Sequence, residues 1–235
     1  MKKVAIMQPY IFPYIGYFQL INAVDKFVVY DTIQYTKKGW INRNRILSQG
    51  KDEYITIPLK KDSDFLDIKE RFVSDSWQND QKKLLNKIKS NYQKAPYFKE
   101  NFSIIEDCFN YESKNLFDFI FNALKVFCNF FEIKTELLIS SNINHDSTLK
   151  SADRVIAICK ALEADQYINA IGGKELYTKD YFSENNLDLK FLEAKKTEYP
   201  QFNNDFVPYL SIIDMIFFLP KEEIIKIIQT DFTIS

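Results

Sequence analysis

The stretch Val4–Tyr30, VAIMQPYIFPYIGYFQLINAVDKFVVY, decides the fold. Val4 to Met7 is a short apolar run of the kind that forms a buried strand. Pro9 and Pro13 bar regular structure directly after it, so a loop must follow. Gly16 then opens Tyr17-Phe18-Gln19-Leu20-Ile21, a short helical stretch ending near Asn22, and Lys26 to Tyr30 reads as a second strand closed by Asp31. Strand, loop, helix and strand in this order make a minimal βαβ unit, which implies a parallel sheet with a right-handed crossover.

Outward from this unit, Tyr54–Leu59 reads as a third strand, with Pro58 marking an edge or an end, and Ile68–Val73 alternates as a fourth. Residues 78–131 carry helical spacing: Leu84, Leu85, Ile88 and Tyr92 share one face, Pro96 breaks the run, and helices over Phe102–Phe109 and Leu116–Phe131 follow. The α/β alternation resumes with a strand at Thr135–Ile139, a helix at Ser151–Leu162, strands at Gln166–Ala170 and Leu189–Leu192, and helices at Tyr209–Phe218 and Lys221–Ile228. The expected architecture is one α/β domain over residues 1–235, a Rossmann-like parallel sheet with residues 78–131 as a helical insertion.

Composition narrows the classes of function. The chain has 235 residues, 46% of them hydrophobic, which is ample to offset chain entropy and excludes a disordered protein. Thirty-one basic and 32 acidic residues give a net charge of −1, which argues against a globally basic nucleic-acid binder, DNA-binding proteins included, while leaving a local basic patch open. A single histidine excludes a His-rich metal site, and no metal centre is expected. Cys108, Cys128 and Cys159 lie far apart without a CxxC and read as packed thiols. The early prolines and the missing cleavage site exclude a signal peptide, and Leu210–Leu219 is too short to span a bilayer. A cytoplasmic protein without membrane partners is expected.

In open parallel sheets ligands bind beyond the carboxyl ends of the strands, and four such ends are chemically rich. After the first strand come Gln8, Tyr10, Tyr14, Gly16 and Tyr17. Strand, loop, then Pro-x-x-Gly-Tyr at a helix start follows the layout of the nucleotidyltransferase and class I synthetase half of Rossmann-like folds, where an HxGH-type motif holds a phosphate at the helix dipole. Tyr14 and Tyr17 stand at both histidine positions, and a neutral phenol cannot supply the charge of an imidazolium. The segment is read as an anion-binding turn unsuited to ordinary nucleotidyl transfer, with a proline-braced packing loop as the alternative.

After the second strand, Asp31, Gln34, Trp40, Asn42, Arg43, Asn44 and Arg45 form a loop whose Arg forks suit a diphosphate and whose Trp suits a base or sugar; a solvated basic hairpin is the alternative. Ser140-Ser141 and Gly172-Gly173-Lys174 close the other two ends; the latter lacks the full P-loop pattern but could make a second anion site. Asp214, inside an apolar run, lies either on a helix surface or buried with a partner, and pairing with Arg43 or Arg45 would make it an orienting carboxylate. His145, in a polar stretch, reads as an exposed loop histidine rather than a general base.

The segments Ile6–Tyr10, Phe12–Tyr17, Asp31 with Gln34-Tyr35, Gly39-Trp40, Asn42–Arg45, Ala95–Phe98, Ser140-Ser141, Ala161–Tyr167, Gly172–Lys174, Tyr199–Gln201 and Leu210–Asp214 resemble the WbqC-like proteins nearly end to end. The resemblance implies a transferase of bacterial surface-polysaccharide (O-antigen) synthesis, attaching an aminoacyl group such as glycyl to the amine of a nucleotide-linked amino sugar. On that reading Gln8, Tyr10, Tyr14 and Tyr17 line the reaction centre, Arg43 and Arg45 clamp the diphosphate, and Asp31 or Asp214 orients or deprotonates the acceptor amine. The activated donor is expected to be an aminoacyl-tRNA or an aminoacyl-adenylate, with tRNA a partner in the first case. A nucleotidyltransferase activating a small acid and a non-catalytic sugar-nucleotide binder stand as alternatives.

Overall fold

The computed structural model describes residues 1–235. Its main sheet is built from β1 (Lys3–Met7), β2 (Lys26–Val29), β5 (Glu136–Ile139), β6 (Gln166–Ala170), β7 (Asp188–Ala194) and β8 (Phe232–Ile234) in the order β5-β2-β1-β6-β7-β8. Neighbours from β5 to β7 run parallel, and β8 closes the far edge antiparallel to β7. This is a Rossmann-like α/β sheet. Its chain order reverses between β1 and β6, which makes that junction the topological switch point.

Helices cover both faces, because alternate residues of each central strand bury on opposite sides. Ala5, Phe27, Val29 and Ile168 join one core with α1 (Ile15–Asn22), α4 (Leu116–Phe130), α7 (Ile212–Phe218) and α8 (Lys221–Thr230). Val4, Ile6, Val28 and Tyr167 join the other with α5 (Ser151–Ala161) and α6 (Lys179–Glu184). The first core extends into α2 (Trp77–Tyr92) and α3 (Phe98–Phe109), so the three helices that precede β5 pack on the sheet-bound elements rather than apart from them. Burial raises the thiols of all three cysteines, those of Cys128 and Cys159 to about 12. No helix is long and apolar enough to cross a membrane.

Three local expectations are corrected, and one strand had not been read from the sequence. Residues 43–45, read as the end of a loop, open β3 (Arg43–Ser48), which pairs antiparallel with β4 (Lys51–Thr56) in a hairpin outside the main sheet. Its two-residue turn, Gln49-Gly50, has both φ angles positive, the geometry that fits strand twist. Residues 68–73 make a short 3-10 turn at Ile68–Glu70 and isolated bridges rather than a strand, since Asp67 and Glu70 cap each other's backbone. Helix α7 begins at Ile212, not Tyr209, because Tyr209 is left-handed and Ser211 Oγ accepts from Ile213 N–H. The C-terminal strand β8 lacked an apolar run long enough to announce it.

The segment between β1 and α1 is fixed from outside. Phe12 is left-handed (φ 43°), a costly conformation for an aromatic residue, and its buried ring packs against Phe109 and Phe127. Asn44 Nδ2 donates to the carbonyls of Ile11 and Phe12, both at 2.9 Å, and Ser211 Oγ donates to Phe12 O at 2.7 Å. Ile212 N–H donates to Pro13 O at 3.0 Å. Replacing Asn44 by Ala strands the buried Ile11 carbonyl and is expected to cost about 2 kcal/mol in urea unfolding, against less than about 0.5 kcal/mol for the exposed Gln34→Ala.

Candidate functional site

β1 pairs with β2 through Met7↔Val29, and β6 with β7 through Ala170↔Leu192, but β1 and β6 pair only as far as Val4↔Tyr167. Beyond that point the two central strands part. Two backbone groups at the gap find side-chain partners: Asn169 Oδ1 accepts from Ala170 N–H at 2.9 Å, and Tyr167 Oη reaches Ile6 O at 3.5 Å. The gap opens into a cavity of about 500 Å³, 16 of whose 24 lining residues are hydrophobic. That size and lining fit a small-molecule site at a switch point.

The segment after β1 supplies Gln8, Tyr10, Tyr14, Gly16 and Tyr17 to the wall. Tyr17 Oη donates to Gln8 O at 2.8 Å, so this phenol holds the turn. Tyr14 lies against the start of α1, where a Cβ on Gly16 would stand 2.5 Å from its ring. The Tyr14 ring also meets Tyr209 edge-on at 6.4 Å. Burial raises the phenols of Tyr10, Tyr14 and Tyr17, Tyr17 most strongly, so all three are neutral at neutral pH.

The strand period separates the Asn-Arg-Asn-Arg cluster into two faces. Asn42 and Asn44 turn inward: Asn42 accepts from Tyr35 Oη at 2.8 Å and donates to Ile57 O at 2.8 Å, and only Asn44 reaches the cavity wall. Arg43 and Arg45 turn outward with Trp40 and Tyr54. The guanidinium of Arg43 covers the Tyr54 ring (4.6 Å), Tyr54 stacks on Trp40 (6.2 Å), and Arg45 covers Trp40 (5.3 Å). Trp40 and Arg45 line the cavity; Arg43 does not, since it donates to the carbonyls of Gly39 and Lys38. Arg45 donates to Asp52 Oδ2 (3.3 Å) and Tyr209 O (3.2 Å), while its Nε is buried without a partner.

The remaining candidates divide. Gly172 and Gly173 line the cavity, and a Cβ on Gly173 would stand 2.3 Å from Asn169 Nδ2. Lys174 is exposed outside it. Asp31 is buried beneath the strand ends, where its Oδ1 accepts from Ser140 Oγ at 2.5 Å and Ser141 N–H at 2.9 Å, tying β2 to the end of β5. Neither Asp31 nor Ser140 nor Ser141 reaches the cavity, and Gln34 bonds to Asp64 O on the surface. His145 is half-buried rather than exposed, with Nδ1 2.7 Å from Ile143 O, and also lies off the cavity.

Asp214 pairs with neither arginine. It is fully buried and accepts from Tyr92 Oη at 2.8 Å, and from Tyr199 Oη and Gln201 Nε2 at 2.7 Å each. Tyr92 Oη in turn accepts from Leu47 N–H at 2.6 Å, so the carboxylate joins α7, α2, the hairpin and the segment leading to Tyr209. It orients structure rather than substrate.

The wall also holds residues not singled out by sequence: Tyr30, Asn169, Tyr177 and Tyr209. Tyr30 and Asn169 sit at strand ends, so the strand-end rule already pointed to them. Tyr209 is left-handed and 65% exposed, unusual on both counts for an aromatic residue, but neither property is visible without coordinates.

Fold and site together define a Rossmann-like protein whose switch-point cavity is aromatic and holds one charged side chain, Arg45. The WbqC-like protein family model matches residues 8–226, and the chain belongs to that family. It is 28% identical to the uncharacterized protein Rv1507c of Mycobacterium tuberculosis over 221 residues, covering 92% of this chain and 94% of that protein. No solved structure matches.

Burial raises the Asp214 carboxyl to about 6 from 3.8, outweighing its three hydrogen bonds. The folded protein therefore holds this proton more tightly than the unfolded chain, and stability falls as pH rises through that window. The cost, about 3 kcal/mol, is complete above about pH 6. Urea unfolding is expected to show the wild type losing ground to Asp214→Asn by roughly that amount between about pH 4 and about pH 7. A gap independent of pH would contradict the assignment.

Proposed function

We propose that the chain transfers an acyl group, in its expected form an aminoacyl group such as glycyl, to the amine of a nucleotide-linked amino sugar. The context is bacterial surface-polysaccharide (O-antigen) synthesis in the cytoplasm. The observation that carries this reading is the cavity where β1 and β6 part, with its aromatic wall and single guanidinium. A nucleotide sugar needs aromatic surface for base or hexose, which the tyrosines of the wall offer, and a cation for the diphosphate, which Arg45 offers.

Transfer to an amine requires a neutral nucleophile and donors for the oxyanion that forms as the acyl carbon becomes tetrahedral. The Gln8 carboxamide and the neutral phenols of Tyr10 and Tyr14 are donors of that kind on the wall. No carboxylate, imidazole or lysine lines the cavity. The acceptor amine must therefore enter unprotonated and release its proton to the departing group or to water. An aminoacyl-tRNA or aminoacyl-adenylate would supply an acyl carbon already activated for this.

The same lack of an acid–base group favours one second reading, a sugar-nucleotide-binding protein without catalysis. Activation of a small acid by a nucleoside triphosphate has less support, because Arg43 and Lys174 stand off the cavity and one cation faces it. Incubation with nucleotide amino sugars and aminoacyl donors, read by mass spectrometry, separates these: a mass gain of one acyl unit supports transfer, pyrophosphate release supports the triphosphate reading, and tight binding without turnover supports the binder. In calorimetry, Arg45→Ala is expected to weaken nucleotide-sugar binding about 10- to 100-fold, the worth of a charged hydrogen bond, while Arg43→Ala changes it less than about threefold.

A further inference from the structure

The cavity straddles the carboxyl edge of the sheet, and its two halves differ in chemistry. On the α1 side stand Trp40, Arg45 and the tyrosines of residues 10–17. The wall on the α5 side belongs to the second core: Ile6, Val155 and Tyr167 are members, and Tyr30, Ile171 and Tyr177 pack against it. No side chain on this side carries a charge. Leu176, 71% exposed, stands at its rim.

One cation stands directly behind this half. Arg154 Nη1 donates to Tyr30 Oη at 3.2 Å, and its guanidinium lies 6.0 Å from the Tyr30 ring. Its remaining bonds go to the carbonyls of Thr32 (3.0 Å), Leu149 (2.6 Å) and Ser147 (2.7 Å), so none of its partners is a carboxylate. Arg154 does not line the cavity, and four of its five N–H groups are engaged. It therefore opposes a second positive charge in this half while standing behind the wall rather than in it. An ammonium or carboxylate placed here would give up water without meeting an opposite charge on the wall. The tyrosine faces could attract an ammonium, but Arg154 stands behind the Tyr30 face with the same sign of charge.

We propose that the half of the cavity bounded by Ile6, Tyr30, Val155, Ile171, Leu176 and Tyr177 is the acyl subsite, and that it takes an uncharged, apolar acyl group. This rests on the transferase reading and sharpens it: an aminoacyl group enters only with its amine neutral. Glycyl carries an ammonium whose ordinary pKa is about 8, so most of it is excluded near neutral pH.

Three probes decide the matter: UDP- and dTDP-linked glucosamine carrying N-propionyl, N-glycyl or N-malonyl groups, the first two isosteric and the third bearing a carboxylate in place of the methyl. Calorimetry on the full chain is expected to rank propionyl at least about tenfold tighter than either charged probe. The glycyl probe is expected to tighten as pH rises through about 8 while propionyl binding stays level. Leu176→Asp, at an exposed position that does not threaten folding, is expected to narrow the gap in favour of glycyl several-fold, and Arg45→Ala to weaken all three alike. Equal affinity for the three probes, or tighter glycyl or malonyl binding, overturns the subsite assignment and leaves nucleotide-sugar binding standing. Failure of every probe and of UDP-glucosamine and dTDP-glucosamine to bind overturns the transferase reading and the subsite with it.

Discussion

The parting of β1 from β6 after Val4↔Tyr167 governs most of what this chain can do. In a doubly wound sheet the chain order must reverse somewhere, and the crossovers on either side carry the loops apart at that point. Here the strands themselves separate as well, leaving the ends of β1 and β6 paired to their outer neighbours but not to each other. Freed backbone groups cannot stay unpaired in a buried setting, so Asn169 and Tyr167 turn back on the main chain and finish the gap. The result is a preformed opening rather than one a ligand must force.

A gap of this kind is useful only if its walls hold still. The wall after β1 contains a left-handed phenylalanine and two prolines, and its shape depends on groups distant in sequence: Asn44 on the hairpin, Ser211 before α7 and the Phe109–Phe127 aromatic pocket. Buried polar side chains that satisfy main-chain carbonyls fix one conformation, because any alternative leaves an acceptor without a donor. Asp214 does the same for the segment that ends at Tyr209, through two phenols and a carboxamide. The cavity is left with neutral donors and one guanidinium, a setting for binding phosphate and stabilising an oxyanion, with no group on the wall that can take a proton at neutral pH.

The parallel sheet was legible in the sequence, because apolar runs and Gly/Pro punctuation report directly on buried strands and turns. The first strand end was legible in residue detail, since Gln8, Tyr10, Tyr14, Gly16 and Tyr17 all face one space. The second was not. Asn42, Arg43, Asn44 and Arg45 read as one polar cluster, yet the strand alternation sends the asparagines inward to hold backbone and the arginines outward to stack on rings. The two-residue turn at Gln49-Gly50 was the available clue. Asp31 and Asp214 were misleading for one reason: sequence shows a carboxylate in apolar surroundings but not whether hydroxyls or a cation will meet it. Tyr209 owes its place to a left-handed backbone, a feature set by tertiary packing alone.

The most direct test of the account is a crystal structure of the protein with UDP-glucosamine or dTDP-glucosamine bound. The sugar nucleotide is expected in the gap between β1 and β6, its diphosphate within hydrogen-bond distance of Arg45 and its amine directed toward the half of the cavity walled by Tyr30, Val155 and Tyr177. Density for the ligand on another surface, with the gap between the two strands filled by solvent, would contradict it.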